Sequence, residues 1–506
     1  MNSPGLRSRQ PQRALRALQD FYASDLGATL ERHLTEPPAA RALALFHDVA
    51  RDVPAYRRFL AARGFDADAV RTIEDFARVP VATKDNYPLC NALPELCRHG
   101  RLDACDMVAV SSGSTGAPTF WPRFVADEIA SAERFEQVLH DAFRADTRRT
   151  LTVVGFALGS WVGGLYTTAC CRHLAAKGYP LTVVAPGNNR AEILRVVAGL
   201  REHFDQVVLF GYPPFLKDVI DAGRADGFDW RKVPTRLSFA GEVFSEAWRT
   251  LVCERVGGAD PAHDAAALYG TADGGALANE TPLSIRIRRF LAERPAAARE
   301  LFGEARLPTL AQYDPLRRYF ETLNGELIFT TDGGAPLVRY NILDRGGVVP
   351  YESMLGFLAA HGFDPLAQLT PDERARGRRQ PFVFVFGRGH FALSFYGANV
   401  YPENVGVGLE QPQFASALTG KFVMQIARDA DLNAELEVFV ELAPAAAPSE
   451  RLAADAAASI RAQLERLNSE FAHYVPAERR TPRVRLRPFA DPEFFPAGVK
   501  HRYTRS

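Results

Sequence analysis

Short runs of β-branched and aromatic residues recur along the first two thirds of the chain, at 152–156, 181–184, 206–210, 236–239, 266–269 and 326–330. Helix-length stretches such as 190–202 and 214–222 lie between several of them. That alternation predicts an α/β fold, a large domain of mixed sheets and helices whose strands are largely parallel. Ligands gather at the carboxyl ends of such strands, and three of the runs end in glycine turns, at Gly211, Gly241 and Gly270, where backbone can approach a ligand closely.

The pattern changes at the Arg-rich stretch 374–379, which leads into Phe382-Val383-Phe384-Val385-Phe386-Gly387-Arg388. A boundary there divides the chain into a large domain, 1–386, and a small α+β domain, 387–506, of ordinary size for an independent unit. Within the second, 421–426 and 436–442 read as strands. A helix opened by Ser449 follows, with Leu452, Ala456, Ile460, Leu464 and Leu467 on one side. The stretch 483–489 reads as an edge strand with solvated arginines.

Composition narrows the partners. The 506 residues are 47% hydrophobic and 24% charged, with 60 basic against 60 acidic side chains, so no net field favours nucleic acid or an anionic membrane. Neither a signal-peptide core nor a bilayer-length apolar run is apparent, and the expectation is a cytoplasmic protein acting on small molecules. The six cysteines, at 90, 97, 105, 170, 171 and 253, form no CxxC pair and no zinc spacing, and read as reduced, mostly buried thiols.

The densest chemistry sits in Ser111-Ser112-Gly113-Ser114-Thr115-Gly116-Ala117-Pro118-Thr119. Two glycines and four hydroxyl residues in 111–116 let backbone N–H groups and hydroxyls converge on an anion, as in a phosphate cradle. The segment is not a Walker loop, because Ala117-Pro118 stand where Lys and Ser/Thr would follow the second glycine. In isolation it reads equally well as a linker. The apolar flanks 108–110 and Phe120-Trp121 favour a rigidly held loop.

Taken in order, the spaced motifs resemble the acyl-adenylating (AMP-forming) enzyme superfamily, in its branch of phenylacetate–CoA ligases and capsule-biosynthesis adenylate-forming proteins. The resemblance rests on Val79-Pro-Val-Ala-Thr-Lys84-Asp85, the Ser/Gly segment, Phe210-Gly-Tyr212-Pro-Pro214, Ser238-Phe-Ala-Gly241-Glu242 and Tyr269-Gly270-Thr271-Ala272-Asp273. It continues through Pro336-Leu-Val-Arg339-Tyr340-Asn-Ile-Leu-Asp344, Gly387-Arg388 with Gly397-Ala-Asn399-Val400-Tyr401-Pro402, and Pro496-Ala-Gly498-Val499-Lys500-His501-Arg502.

The resemblance implies a two-step reaction. A carboxylate attacks the α-phosphorus of ATP to give acyl-AMP and pyrophosphate, and a thiol, most readily coenzyme A, then displaces AMP. Two anions must meet, so donors and a cation are required. The resemblance gives Ser111, Ser112, Gly113, Ser114, Thr115 and Gly116 to the phosphates. It gives Gly241, Glu242, Tyr269, Gly270 and Thr271 to the nucleotide, Asp344 and Arg388 to the ribose or phosphate, and Asp273 to Mg2+. Lys500 is the implied catalytic ammonium, and His390 stands in a hinge that carries Lys500 away for the second step.

Read without the family, Asp273 is also a turn residue, Tyr269 a core aromatic and Lys500 part of a basic tail. The chain departs from the pattern at four places: Ala117 replaces a lysine, Ala272-Asp273 replaces Ser/Thr-Glu, His390 replaces an aspartate, and Val499 separates Lys500 from Gly498. The implied acid pocket includes Phe156, Trp161, Gly164, Phe210, Tyr212 and Gly274, with Tyr166 nearby, and favours an aromatic or flat, mostly apolar carboxylic acid. Alternative outcomes are transfer to an amine or a carrier protein, or nucleotide binding without catalysis. The reading leaves room for a homodimer. A hydrolase fits poorly, since no Gly-x-Ser-x-Gly elbow is formed.

Overall fold

In the computed structural model, residues 10–111, 118–304, 306–388, 392–444, 446–495 and 503–505 are described. The Cα framework divides into two units. The first comprises Met1–Val110, Phe120–Gly211 and Val219–Gly387; the second comprises Ser111–Thr119, Tyr212–Asp218 and Arg388–Ser506.

The first unit is built on one 12-stranded sheet. Five strands, in spatial order Leu181–Val184, Thr150–Val154, Gln206–Gly211, Thr235–Ala240 and Ala265–Thr271, are parallel to their neighbours. The crossovers are helices such as Arg190–Leu200 and Pro213–Ala225, as the alternation of runs predicts. The parallel order then stops. Ala265–Thr271 pairs antiparallel with Gly275–Asn279 across the 272–274 turn, and the strands Thr309–Gln312, Glu326–Thr331 and Tyr319–Leu323 continue with antiparallel pairings. The expectation of a largely parallel sheet therefore holds for one half only. A three-residue connection cannot carry a crossover, so the two strands it joins must run in opposite directions.

Four helices at the N-terminal end, Gln10–Ala23, Leu26–Thr35, Pro38–Asp52 and Pro54–Ala61, add a helical layer. Phe46 and Val49 of the third and Tyr56 of the fourth join Tyr340, Phe329 and Leu337 in one apolar core. Among the described residues, no helix is long and apolar enough to cross a membrane.

In the second unit, Leu418–Arg428, Ala434–Leu442 and Arg483–Arg487 form a three-stranded sheet, with the arginine-rich strand at an edge. Helix Glu450–Leu467 is capped by Ser449, whose hydroxyl accepts from Leu452 N at 3.1 Å. It buries Ala456, Ala457, Ile460 and Leu464. A side chain at Gly408 would meet Ile460 Cα at 2.6 Å, so helix Pro402–Leu409 packs on it backbone to backbone. Leu393–Phe395 and Ala398–Val400 form a hairpin turned by Tyr396 and Gly397, at φ 53° and 82°. Two positive φ values in succession give a turn whose twist matches the strands it joins.

Candidate active site

Strand Ala265–Thr271 delivers Tyr269, Gly270 and Thr271 to its carboxyl end, the kind of place that the motif reading singles out. The turn after it is tight for local reasons. Thr271 Oγ1 accepts from Gly274 N at 2.9 Å, and Gly275 has φ +73°. A Cβ at Gly274 would lie 2.9 Å from Leu277 and 3.1 Å from Phe329, and one at Gly270 would lie 3.0 Å from Gly275 O. The result is a buried Asp273 carboxylate at the head of the turn.

Asp273 meets the second motif there. Tyr340 Oη donates to Asp273 Oδ2 at 2.6 Å, and Tyr269 Oη donates to Asp344 Oδ2 at 2.7 Å, all four side chains being buried. The tyrosine of each motif thus donates to the aspartate of the other. Such bonds to buried carboxylates are short and charge-assisted, and they fix the spacing of the two acids.

The strand that holds Tyr340 and Asp344, Leu337–Val349, is anchored in turn to the segment 79–85. Ala82 and Thr83 pair in parallel with Tyr340 and Asn341. Arg339, at φ 44°, donates through Nη1 to Ala77 O and Val79 O, both at 2.5 Å, and pairs with Glu321 at 3.1 Å. Its guanidinium is therefore a structural clamp that ties together two motifs far apart in the chain.

Under the 272–276 turn lie two buried arginines that sequence reasoning left unplaced. Arg123 donates to Ala272 O, and Arg318 donates to Gly274 O and Ala276 O at 3.3 Å each. Neither has a carboxylate within ion-pair distance among the described residues, and the Nε of each is buried without a partner there. Burial pushes the Arg318 guanidinium down to about 10. Ser131 Oγ accepts from Ala276 N at 3.3 Å. Asp127, on the same helix Val125–Gln137, accepts from Gly334 N at 2.9 Å and Phe124 N at 3.2 Å. Burial raises its carboxyl to about 6, against the pull of Arg123 and of the Gly334 N–H.

The Gly241 region is held differently. Gly241 has φ 90° at the end of Thr235–Ala240, and Glu242 beside it is half-buried. Behind them, Arg288 donates to Phe244 O and pairs with Glu246, while Arg249 pairs with Glu246 at 3.0 Å and Glu280 at 2.7 Å. Glu280 in turn accepts from Ala267 N at 2.8 Å. Although burial alone would raise Glu246, Arg249 and Arg288 hold it below the usual carboxylate range.

Comparison with known proteins follows the same lines. No protein-family profile matches the chain. It is 25% identical over 406 residues to a phenylacetate-coenzyme A ligase of Aromatoleum evansii, covering 78% of each. A 2-hydroxyisobutyryl-CoA ligase in complex with 2-HIB-AMP and CoA, in its thioesterification state, superposes with TM-score 0.62 at 16% identity, covering 100% of this chain and 94% of the other. An open conformation of that ligase gives TM-score 0.52 at 16% identity, covering 92% and 90%. In sequence the chain is thus similar to an AMP-forming acid–CoA ligase, and it shares the fold of the acyl-adenylating ligases.

The remaining residues singled out from sequence fall in three groups. Among the acid-pocket candidates, Trp161 forms a parallel bridge with Val110, whose N donates to Ser160 O at 3.0 Å. Phe156 is buried beside this segment, and a Cβ at Gly164 would meet Ala157 O at 2.2 Å. Tyr166 is buried with Arg123 5.7 Å from its ring centre, and its hydroxyl has no partner among the described residues. Phe210 is fully buried and packs on Phe135, which places it in the sheet interior. Tyr212 belongs to the second unit, stacked on Tyr474 at 5.2 Å and close against Gly397.

Ser111 is buried at the end of strand Met107–Ser111, which pairs with Thr119–Arg123, so the strands flanking the Ser/Gly segment form a ribbon. Strand Phe382–Arg388 ends at Arg388. Ser112, Gly113, Ser114, Thr115, Gly116, His390 and Lys500 lie outside the described residues.

A cavity of about 550 Å³ lies in the first unit between the N-terminal helices and Val125–Gln137, and reaches Asp127 and Arg318 under the 272–276 turn. Its lining includes Phe21, Leu26, Leu45, Ile129, Arg317 and Arg318, and none of the acid-pocket candidates.

Proposed function

We propose that the protein activates an aromatic or otherwise flat, mostly apolar carboxylic acid with ATP and transfers the acyl group to coenzyme A. The observation that carries this reading is the reciprocal bonding of Tyr269 to Asp344 and Tyr340 to Asp273, which brings together the two motifs that the superfamily devotes to the nucleotide. In the first step a carboxylate oxygen bonds to the α-phosphorus and the bond to pyrophosphate breaks. In the second the thiolate bonds to the acyl carbon and AMP leaves.

Asp344 accepts the ribose hydroxyls, with Tyr269 setting its orientation. Gly241 and Glu242 border the adenine, where a bare glycine leaves room for the base. The hydroxyl of Thr271 already accepts from Gly274 N and keeps its proton for a phosphate oxygen. Ser111 and the glycine-rich segment after it supply phosphate donors, with Arg388 beside the ribose and Lys500 as the ammonium between carboxylate and phosphate. His390 marks the hinge.

The donor set suits Mg2+. That ion is ordinarily held by one or two carboxylates together with substrate phosphates and water, and Tyr340 occupies only Oδ2 of Asp273. When bound, the ion would screen the charge that develops on the phosphates. Ala117 removes a cation that relatives have, and the carboxylate-free guanidinium groups of Arg123 and Arg318 under the 272–276 turn offset it.

Carboxylate-dependent exchange of labelled pyrophosphate into ATP, run across aryl, heteroaryl and short aliphatic acids, tests the first step. The expected result is exchange with an aryl acid and formation of its CoA thioester once coenzyme A is added. Absence of exchange with every acid would make the chain a nucleotide binder. Exchange followed by an amide or a carrier-bound product would reassign the acceptor.

A further inference from the structure

Cys97 and Cys105 are eight residues apart in sequence and 3.8 Å apart at their sulfurs, with the Cys105 thiol donating to Cys97 Sγ. Cys97 is fully buried and Cys105 is half-buried, so an oxidant reaches the pair from the Cys105 side. That hydrogen bond holds the Cys97 thiol below its ordinary value. No CxxC spacing announces the pair. It is created by the turn Leu102–Ala104, which folds the chain back on itself.

Each cysteine is followed by a residue that anchors the frame of the active site. Arg98 donates to Asp332 Oδ1 at 2.7 Å and to Gly333 O at 3.1 Å, next to the Gly334 N–H held by Asp127. Asp106 donates through its backbone N to Arg123 O at 3.1 Å and accepts from Val125 N at 2.9 Å. Arg123 is the side chain that holds Ala272 O, one residue from Asp273. A disulfide requires the sulfurs to approach to about 2.05 Å. Any backbone share of that approach draws on Arg98 and Asp106, and through them on the 332–334 and 272–273 turns.

The geometry points to a reversible Cys97–Cys105 disulfide, formed by exchange with a small-molecule disulfide such as oxidised glutathione, that slows adenylation. In the exchange one cysteine sulfur attacks the oxidant and expels one thiol, and the other cysteine then displaces the second. The oxidant's S–S bond is broken and the protein's is made. Two electrons and two protons pass to the two released thiols. Cys90 is exposed and is the natural competing target, whereas Cys170, Cys171 and Cys253 are buried.

The test uses the full chain equilibrated at a series of glutathione redox ratios, alkylated and digested with trypsin, which cuts after Arg98 and Arg101. The expected product is the 85–98 peptide, which carries both Cys90 and Cys97, joined to the 102–123 peptide, with the link assigned to Cys97 by fragmentation and retained in Cys90→Ser, and separated again by dithiothreitol. Glutathione on Cys90 or Cys105 with no 97–105 link at any ratio would overturn the proposal. Activity is read in the same samples by pyrophosphate exchange, and this half rests on the function proposed above. The linked form is expected to exchange at least about tenfold more slowly, recovering on reduction, since a shift of about 1 Å at a reacting site costs up to about a hundredfold. Cys105→Ser and Cys97→Ser are each expected to exchange normally and to be insensitive to oxidised glutathione; the half-exposed Cys105 variant suffices if the other fails to fold. An unchanged rate in fully linked enzyme would refute the coupling. Absence of exchange in reduced wild-type protein would refute the proposed function instead and leave the linkage result standing.

Discussion

Two strand ends in the first unit are held by buried arginines in opposite ways. Behind Gly241, Arg249 and Arg288 are matched by Glu246 and Glu280 in a closed ionic cluster, and the match holds Glu246 below its ordinary range. Under the 272–276 turn, Arg123 and Arg318 meet only backbone carbonyls, and their acidic neighbour Asp127 is raised to about 6. The first arrangement neutralises itself and serves to fix backbone. The second sets two guanidinium groups against the single carboxyl of Asp127, leaving net positive charge beside the turn proposed to face the phosphates, and gives up stability for it, because unmatched buried charge is expensive.

The comparison breaks most visibly at the closed cluster. Arg249→Met strands the buried Glu280 and leaves Glu246 to Arg288, and is expected to destabilise the fold by about 3–5 kcal/mol, read as a fall in the urea midpoint. Next comes the pH dependence of Asp127. Its folded pKa is raised from 3.8 to about 6, so the stability gained from its protonated form is complete below about 3.8 and is lost as pH rises through about 6. Asp127→Asn stays neutral and keeps an acceptor for Gly334 N. It should remove that loss, about 2–3 kcal/mol between pH 4 and pH 7, measured by urea unfolding at each pH. An unchanged pH profile would show the carboxyl to be ordinary.

Arg318→Met should cost less than Arg249→Met, about 1–3 kcal/mol, since it frees three carbonyls while removing a buried charge with no ion-pair partner among the described residues. Its exchange rate should nevertheless fall, with the apparent KM for MgATP raised. A loss of stability as large as that of Arg249→Met, with KM unchanged, would erase the distinction between the two sites. The smallest effects belong to the reciprocal pair: Tyr340→Phe and Tyr269→Phe should each cost about 1–2 kcal/mol. Tyr340→Phe should raise the Mg2+ requirement, and Tyr269→Phe the KM for ATP.

Much of this was legible beforehand. The short β-branched runs, the helix capped by Ser449 and the arginine-rich edge strand all follow from local periodicity and capping. Asp273, Asp344, Tyr269 and Gly241 were singled out as candidates because the motifs around them are contiguous. Arg318 and Ser131 escaped, as did the roles of Tyr340 and Arg339, because no local pattern marks them. Arg123 likewise carries no local mark of its contact with Ala272 O. The switch from parallel to antiparallel strands was missed because runs of strand residues look alike in either direction, and only the short 272–274 connection decides it.

By itself the sequence determined which segments are strands and helices, the order of the motifs and the kinds of chemical group they offer. Those properties depend on neighbours within a turn or two of chain. The tertiary structure alone decided that Tyr269 meets Asp344 across 75 residues and Tyr340 meets Asp273 across 67. It also decided that Arg318 meets the 274–276 turn from more than 40 residues away and that two thiols with no motif spacing lie 3.8 Å apart. Such contacts form only when packing brings distant elements together, and no periodicity in the chain encodes which pairs will meet.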